Sequence, residues 1–264
     1  MKIYYSAVLS FFFLILMSAC HQSNSKNEQL KDSLMASNLS DSSILVYASG
    51  IEKLSAALQK EESPVYNKGD YTFYAEIFKK GDQPVIYHEF DDAGDFGYTD
   101  KKYYLDKGDL ILYTEKTKQV LAGAKPSFTF TQKRIYYRNG VFLKAEERNA
   151  AGDSLLLRTP FSVLDENLVD KNKQFDFQAL QDAVHQTGDY NLTFTMIDST
   201  KSKKLFLIMG NGNATCTAKY LVSQPDSLIN NLLSNPSAYK NKKLQISFTR
   251  QGTDMIYKSG SLPF

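Results

Sequence analysis

Two stretches of this chain follow one plan. Tyr103-Tyr104-Leu105-Asp106-Lys107-Gly108-Asp109-Leu110-Ile111-Leu112 and Tyr136-Tyr137-Arg138-Asn139-Gly140-Val141-Phe142-Leu143 both run from a double tyrosine through a glycine turn into an apolar return. Asn139-Gly140 is the strongest turn signal present, because both central residues of a type I′ turn need positive φ. An earlier hairpin has an aromatic run at 71–78, a turn at Lys79-Lys80-Gly81-Asp82 and a return at 85–90. The spacing predicts an antiparallel meander of about six strands over residues 71–149. With 17 Tyr, 17 Phe and no Trp, the aromatic content also favours strands. The fold class expected is mainly β (α+β): a helix plus antiparallel meander, followed by a second β-rich unit.

The helix comes first. Ile44, Tyr47, Ala48, Ile51, Leu54 and Leu58 recur at helical spacing, Asp41 or Ser42 can cap, and Ser63-Pro64 would end the helix after about Glu61. Beyond the meander, Pro160 and the polar run through Asp165-Glu166 to Asn172 read as a connection. A short helix then starts at Asp176, with Phe177, Leu180 and Val184 as its stripe and Gly188 as its stop. Strand-like segments follow at 190–197, 204–209 and 215–222, then a helix at 226–233 ended by Asn235-Pro236, then strands at 243–249 and 255–258. This β-β-β-α-β-β order resembles the OB-fold, a small five-stranded barrel that binds oligonucleotides or oligosaccharides on one face.

The N-terminus indicates a compartment. Lys2 is followed by an apolar run at 8–17, too short to span a bilayer, and then by small residues. Leu16-Met17-Ser18-Ala19-Cys20 resembles the lipobox of bacterial lipoproteins, with Met17 where that family usually carries Leu. The resemblance implies that residues 1–19 are a removed signal peptide and that Cys20 is acylated, with palmitate-type chains, as the mature N-terminus. It also implies a protein anchored to a membrane of the bacterial cell envelope, on the periplasmic face or the cell surface. The polar 20–41 stretch suits a flexible tether. The double-tyrosine hairpins are similar to those of uncharacterised envelope lipoproteins of the Bacteroidetes type. The organisation expected is therefore signal (1–19), lipidated tether (20–41), helix plus meander domain (42–165) and OB-like barrel domain (175–264).

Without residues 1–19 the chain carries 30 basic against 29 acidic residues, yet residues 189–264 hold nine Lys or Arg against four Asp, a net +5. Lys219, Lys240, Lys242, Lys243 and Arg250 are the candidate binding residues of a basic face. A basic OB-like unit invites a nucleic-acid reading, but a lipid-anchored envelope protein rarely meets nucleic acid. An envelope protein, an anionic glycan or a lipid headgroup fits the compartment better.

No catalytic residue, metal site or cofactor is expected. The chain has no G-x-S-x-G, H-E-x-x-H, C-x-x-C or Walker pattern. Cys216 reads as a buried inert thiol, His88 and His185 as structural, Asp91-Asp92-Ala93-Gly94-Asp95 as a solvated loop, and Gly210-Asn211-Gly212-Asn213 as a turn. The functional expectation is a non-catalytic binding or interaction module. Two alternatives stand beside it: an envelope hydrolase in which Glu89, Glu115 or Glu146 converge in a pocket, and a membrane-surface scaffold or stress protein.

Overall fold

Each double tyrosine sends one ring to each face of a sheet that is covered on both sides. The computed structural model describes residues 41–121, 127–169, 175–200, 203–212 and 215–263, so Cys20, the 1–19 segment and nearly all of the tether lie outside the described residues. Helix α1 (Asp41–Leu54) leads into β1 (Gln59–Glu62), β2 (Tyr66–Lys68) and the meander: β3 (Tyr71–Lys80), β4 (Gln83–Asp92), β5 (Gly97–Asp106), β6 (Asp109–Leu121), β7 (Ser127–Arg138) and β8 (Val141–Ala150). After it come α2 (Asp153–Leu156), β9 (Ser162–Val163), α3 (Phe177–His185), β10 (Thr193–Ser199), β11 (Leu205–Gly210), β12 (Thr217–Val222), α4 (Ser227–Ser234), α5 (Pro236–Tyr239), β13 (Gln245–Gln251) and β14 (Asp254–Ser261). The protein is mainly antiparallel β with a few helices, in the α+β class.

Successive strand side chains alternate between faces, so Tyr104 and Tyr136 join Ile86 and Leu112 beneath Ile44, Ala48 and Ile51 of α1. Tyr103 and Tyr137 lie on the other face, in a larger cluster with Leu180, Ala183 and Val184 of α3. Each buried ring contributes roughly 2 kcal/mol. Tyr66 locks α3 down by donating its hydroxyl to the Ala183 carbonyl at 2.6 Å. The turns match the sequence: Asn139 and Gly140 have φ of 48° and 73°, as a type I′ hairpin requires. Asp176 and Asp226 cap α3 and α4 through the Ala179 and Ile229 amides.

Two boundaries differ from the sequence pattern. Helix α1 stops at Leu54, a 3-10 turn follows, and residues 59–62 pair with β3, Glu61 opposite Ile77. After Leu58 no apolar residue continues the helical stripe, whereas the β3 edge offers Lys79 to Glu61 at 2.6 Å. Helix α3 ends in a left-handed Gln186 (φ 55°), two residues before Gly188.

The two β-rich segments meet along one strand. The first half of β12 pairs antiparallel with β2, Thr217 opposite Asn67 and Ala218 opposite Tyr66. Its second half pairs parallel with β14, Tyr220 opposite Met255 and Leu221 opposite Ile256. β12 is thus a fork within one sheet: its main path runs from β10 through β12, β2 and the meander to β9, and β14 with β13 branches from β12. The strands expected between 189 and 258 occur in the expected order, with β13 against β14. The unit is not a closed barrel, however. Phe194 in β10 exchanges backbone hydrogen bonds with Lys242 (2.8 Å) and Asn241 (2.9 Å) ahead of β13, and the sheet stays open because β12 gives half of its edge to β2.

Candidate functional site

The fork in β12 creates a groove. Where β2 and β14 separate, a cavity of about 460 Å³ opens. Ala218, Tyr220 and Val222 face the core, so Lys219 and Leu221 project to the other side. Phe206 lies opposite Leu221 across the β11–β12 ladder, and Lys219 Nζ sits 3.9 Å from the centre of the Phe206 ring. Lys204 enters the groove from the start of β11, and Asp254 and Ile256 from the β13–β14 hairpin. Among the described residues neither lysine pairs with a carboxylate. The groove thus combines an apolar floor with two ammonium groups, one of them over the Phe206 ring, and the single Asp254 carboxylate; this net positive lining suits a ligand with an anionic group on an apolar body.

The other candidate basic residues lie elsewhere. Arg250 shares a cross-strand row with Met255 and Tyr220, so it leaves the sheet on the face opposite Lys219. Its side chain is 9% exposed and pairs with Glu76 Oε1; Glu62 lies at 3.5 Å and the Tyr74 ring at 3.6 Å. Lys242 lies 5.3 Å from the Tyr239 ring, Lys243 donates to the Gln186 carbonyl at 3.3 Å, and Lys240 is exposed beyond α5. Lys219 is therefore the one candidate lining the groove. Lys204 and Phe206 are partners that the sequence reading did not single out. The alternation of Lys219 and Leu221 with small and aromatic core residues was the available signal.

Arg250 belongs to a buried ionic network across the meander. Glu76, 7% exposed, accepts from Arg250, from Lys60 at 3.3 Å and from His88 Nδ1 at 2.7 Å; His88 Nε2 reaches Asp100 at 3.1 Å. Burial alone would raise the Glu76 pKa, but its bond to His88 and the Arg250 charge outweigh it and lower it to about 2. Burial opposes a charged His88, yet its two carboxylate partners outweigh that as well and raise its pKa.

Comparison with known proteins finds no matching family model, no matching curated protein and no matching solved structure. The chemistry therefore rests on the side chains alone.

The carboxylates considered for hydrolysis are spread over the sheet. Glu89, Lys101, Glu115, Lys133 and Glu147 occupy one register row across five strands, alternating in sign. Lys101 pairs with Glu89, and Lys133 lies 3.9 Å from Glu115 and 3.6 Å from Glu147. Glu146 projects from the opposite face, and its bonds to Lys144 and Tyr136 lower its pKa despite burial. The three do not share a pocket. Burial pushes the Cys216 thiol up to about 11, which keeps it protonated and unreactive. In the acidic loop, Asp92 Oδ1 accepts from the Gly94 amide at 2.8 Å, a turn contact. Among the described residues no group of three His, Cys, Asp or Glu side chains is placed to hold a metal.

Proposed function

We propose that this chain is a non-catalytic binding module of the bacterial cell envelope, tethered by a lipid on Cys20, whose groove at the β12 fork takes an envelope component with an anionic group on an apolar body. The observation that carries the reading is the pairing of two ammonium groups, Lys204 and Lys219, with the floor formed by Phe206, Leu221 and Ile256. The lipobox-like residues Leu16 to Cys20 supply the compartment. Anionic phospholipid headgroups are the envelope chemistry nearest to that combination.

The test is calorimetric titration of the full chain with short-chain dihexanoylphosphatidylglycerol below its micelle concentration, beside Lys204→Ala and Lys219→Ala. Each exposed charge should be worth about 1 kcal/mol, so each variant should bind roughly fivefold more weakly and the loss should fade in high salt. Absence of binding, or binding by both variants as tight as by the wild-type chain, rejects the groove as the site.

A further inference from the structure

We propose that a second, independent cleft, at the tip of the β4–β5 hairpin, binds the pyranose rings of a neutral glycan. The cleft has about 400 Å³ of space and lies open to solvent. Two aromatic rings border it, Tyr71 and Phe96. Phe96 is 74% exposed and Tyr71 43% exposed, so both rings present a face to solvent on which a ligand can stack.

The main chain that carries Phe96 is fixed by its turn. It ends a 3-10 turn, Gly94–Phe96, in which the Gly94 amide donates to Asp92 Oδ1 at 2.8 Å and the Phe96 amide to the Ala93 carbonyl at 3.2 Å. The Ala93 amide closes the loop on the Gly97 carbonyl at 2.9 Å. Gly97 has φ +126°, and a Cβ there would lie 1.8 Å from the Lys118 carbonyl oxygen. The turn must therefore keep its glycine. The Tyr98 ring turns to the opposite face of the sheet, stacked on Phe90 at 5.7 Å, which in turn stacks on Tyr74 at 5.3 Å.

Polar groups stand beside the rings in a set order. Asp91 lies opposite Thr99, Gly97 opposite Gln119, and Phe73 opposite Asp91. By strand alternation Tyr71, Asp91, Thr99 and Gln119 share one face. A carboxylate, a hydroxyl and an amide thus line up next to an exposed ring. A sugar ring has the complementary form: a face of C–H groups that stacks on an aromatic ring, and a rim of hydroxyls that donate to a carboxylate and exchange hydrogen bonds with an amide. The volume lies in the small-ligand range of about 300–1,000 Å³, whereas a protein partner would need roughly 800 Å² of surface on each side. Asp91 makes a neutral sugar fit better than an anionic one, which separates this cleft chemically from the lysine-lined groove. Burial raises the Asp91 pKa despite Lys101 at 3.6 Å, as suits an acceptor set into the wall.

The full chain, in a detergent without a sugar headgroup, is titrated with cellotriose, maltotriose and tri-N-acetylchitotriose, read by calorimetry and by tyrosine fluorescence. The expected result is saturable binding of at least one, near 1 mM or tighter, weakened about tenfold or more by Phe96→Ala and by Asp91→Asn. A Lys204→Ala, Lys219→Ala double variant should bind the sugar as wild type does. Phe96 is exposed, so its loss leaves the fold intact and the variant a fair test. No binding of any of the three up to about 10 mM, or binding that both Phe96→Ala and Asp91→Asn retain, overturns the proposal.

Discussion

Replacing Glu76 by Gln keeps the shape of the side chain and removes the one charge that Arg250, His88 and Lys60 share. The carboxyl titrates at about 2 instead of its ordinary 4.5; that gap, at 1.36 kcal/mol per pH unit, corresponds to about 3 kcal/mol of folding free energy. A second route gives a similar figure, since breaking a buried ion pair on one side costs about 3–5 kcal/mol. Arg250 is 9% exposed, and its Nη1 has no hydrogen-bond partner among the described residues, so little solvent is available to compensate. Because the folded pKa is lowered, the contribution is fully present above pH 4.5 and is lost as pH falls toward 2. Urea unfolding followed by far-UV circular dichroism at pH 7 should show the variant less stable by about 3 kcal/mol, with a melting temperature lower by on the order of 10 °C. At pH 3 the difference from wild type should shrink to about half or less. A loss under about 1 kcal/mol at neutral pH, or a gap that does not change with pH, refutes the reasoning.

Three other outcomes follow from the same structure. The raised pKa of His88 means that its contribution is complete below its ordinary 6.5 and disappears as pH climbs through the folded value; unfolding midpoints of His88→Gln should therefore decline less than wild type between about pH 6 and pH 9. Gly97→Ala places a methyl group 1.8 Å from the Lys118 carbonyl at a φ of +126°, and hydrogen exchange should show early opening of β5 and β6 with a stability loss of about 2 kcal/mol or more. Expressed with its signal in a diderm host, the wild-type chain should gain the mass of a diacylglyceryl group and sediment with membranes, while Cys20→Ala does neither; equal masses and equal fractionation would remove the anchor.

Local chemistry made much of the fold legible. Asn139-Gly140, the aromatic runs and the Asp176 and Asp226 caps each act within a few residues, and each was readable as such. What escaped was decided by distant partners. Nothing near Tyr66 announces that a three-residue strand will pair with Thr217 and Ala218, 150 residues further on. Arg250 resembles an exposed base beside a hairpin turn until Glu76, 174 residues away, is brought against it. The groove was half visible: Lys219 stood out by charge, but Lys204, Phe206 and the hairpin at Asp254 converge on it only because β12 forks. Phe96 was unremarkable in sequence, since an exposed ring on a glycine-rich loop is recognised by its exposure and not by its neighbours.

The fork also sets an order of events. Hairpins from β3 to β8 close with turns of a few residues and can form while the chain is still emerging. The edge of β2 must wait until residues 217–222 have appeared, across a loop of about 150 residues whose closure carries its own entropic cost. During that interval the open edge next to β3 can accept a foreign strand. β12 is therefore the last piece whose arrival turns a self-folding meander into a protected sheet, and a chain cut short before it would be expected to aggregate through that edge.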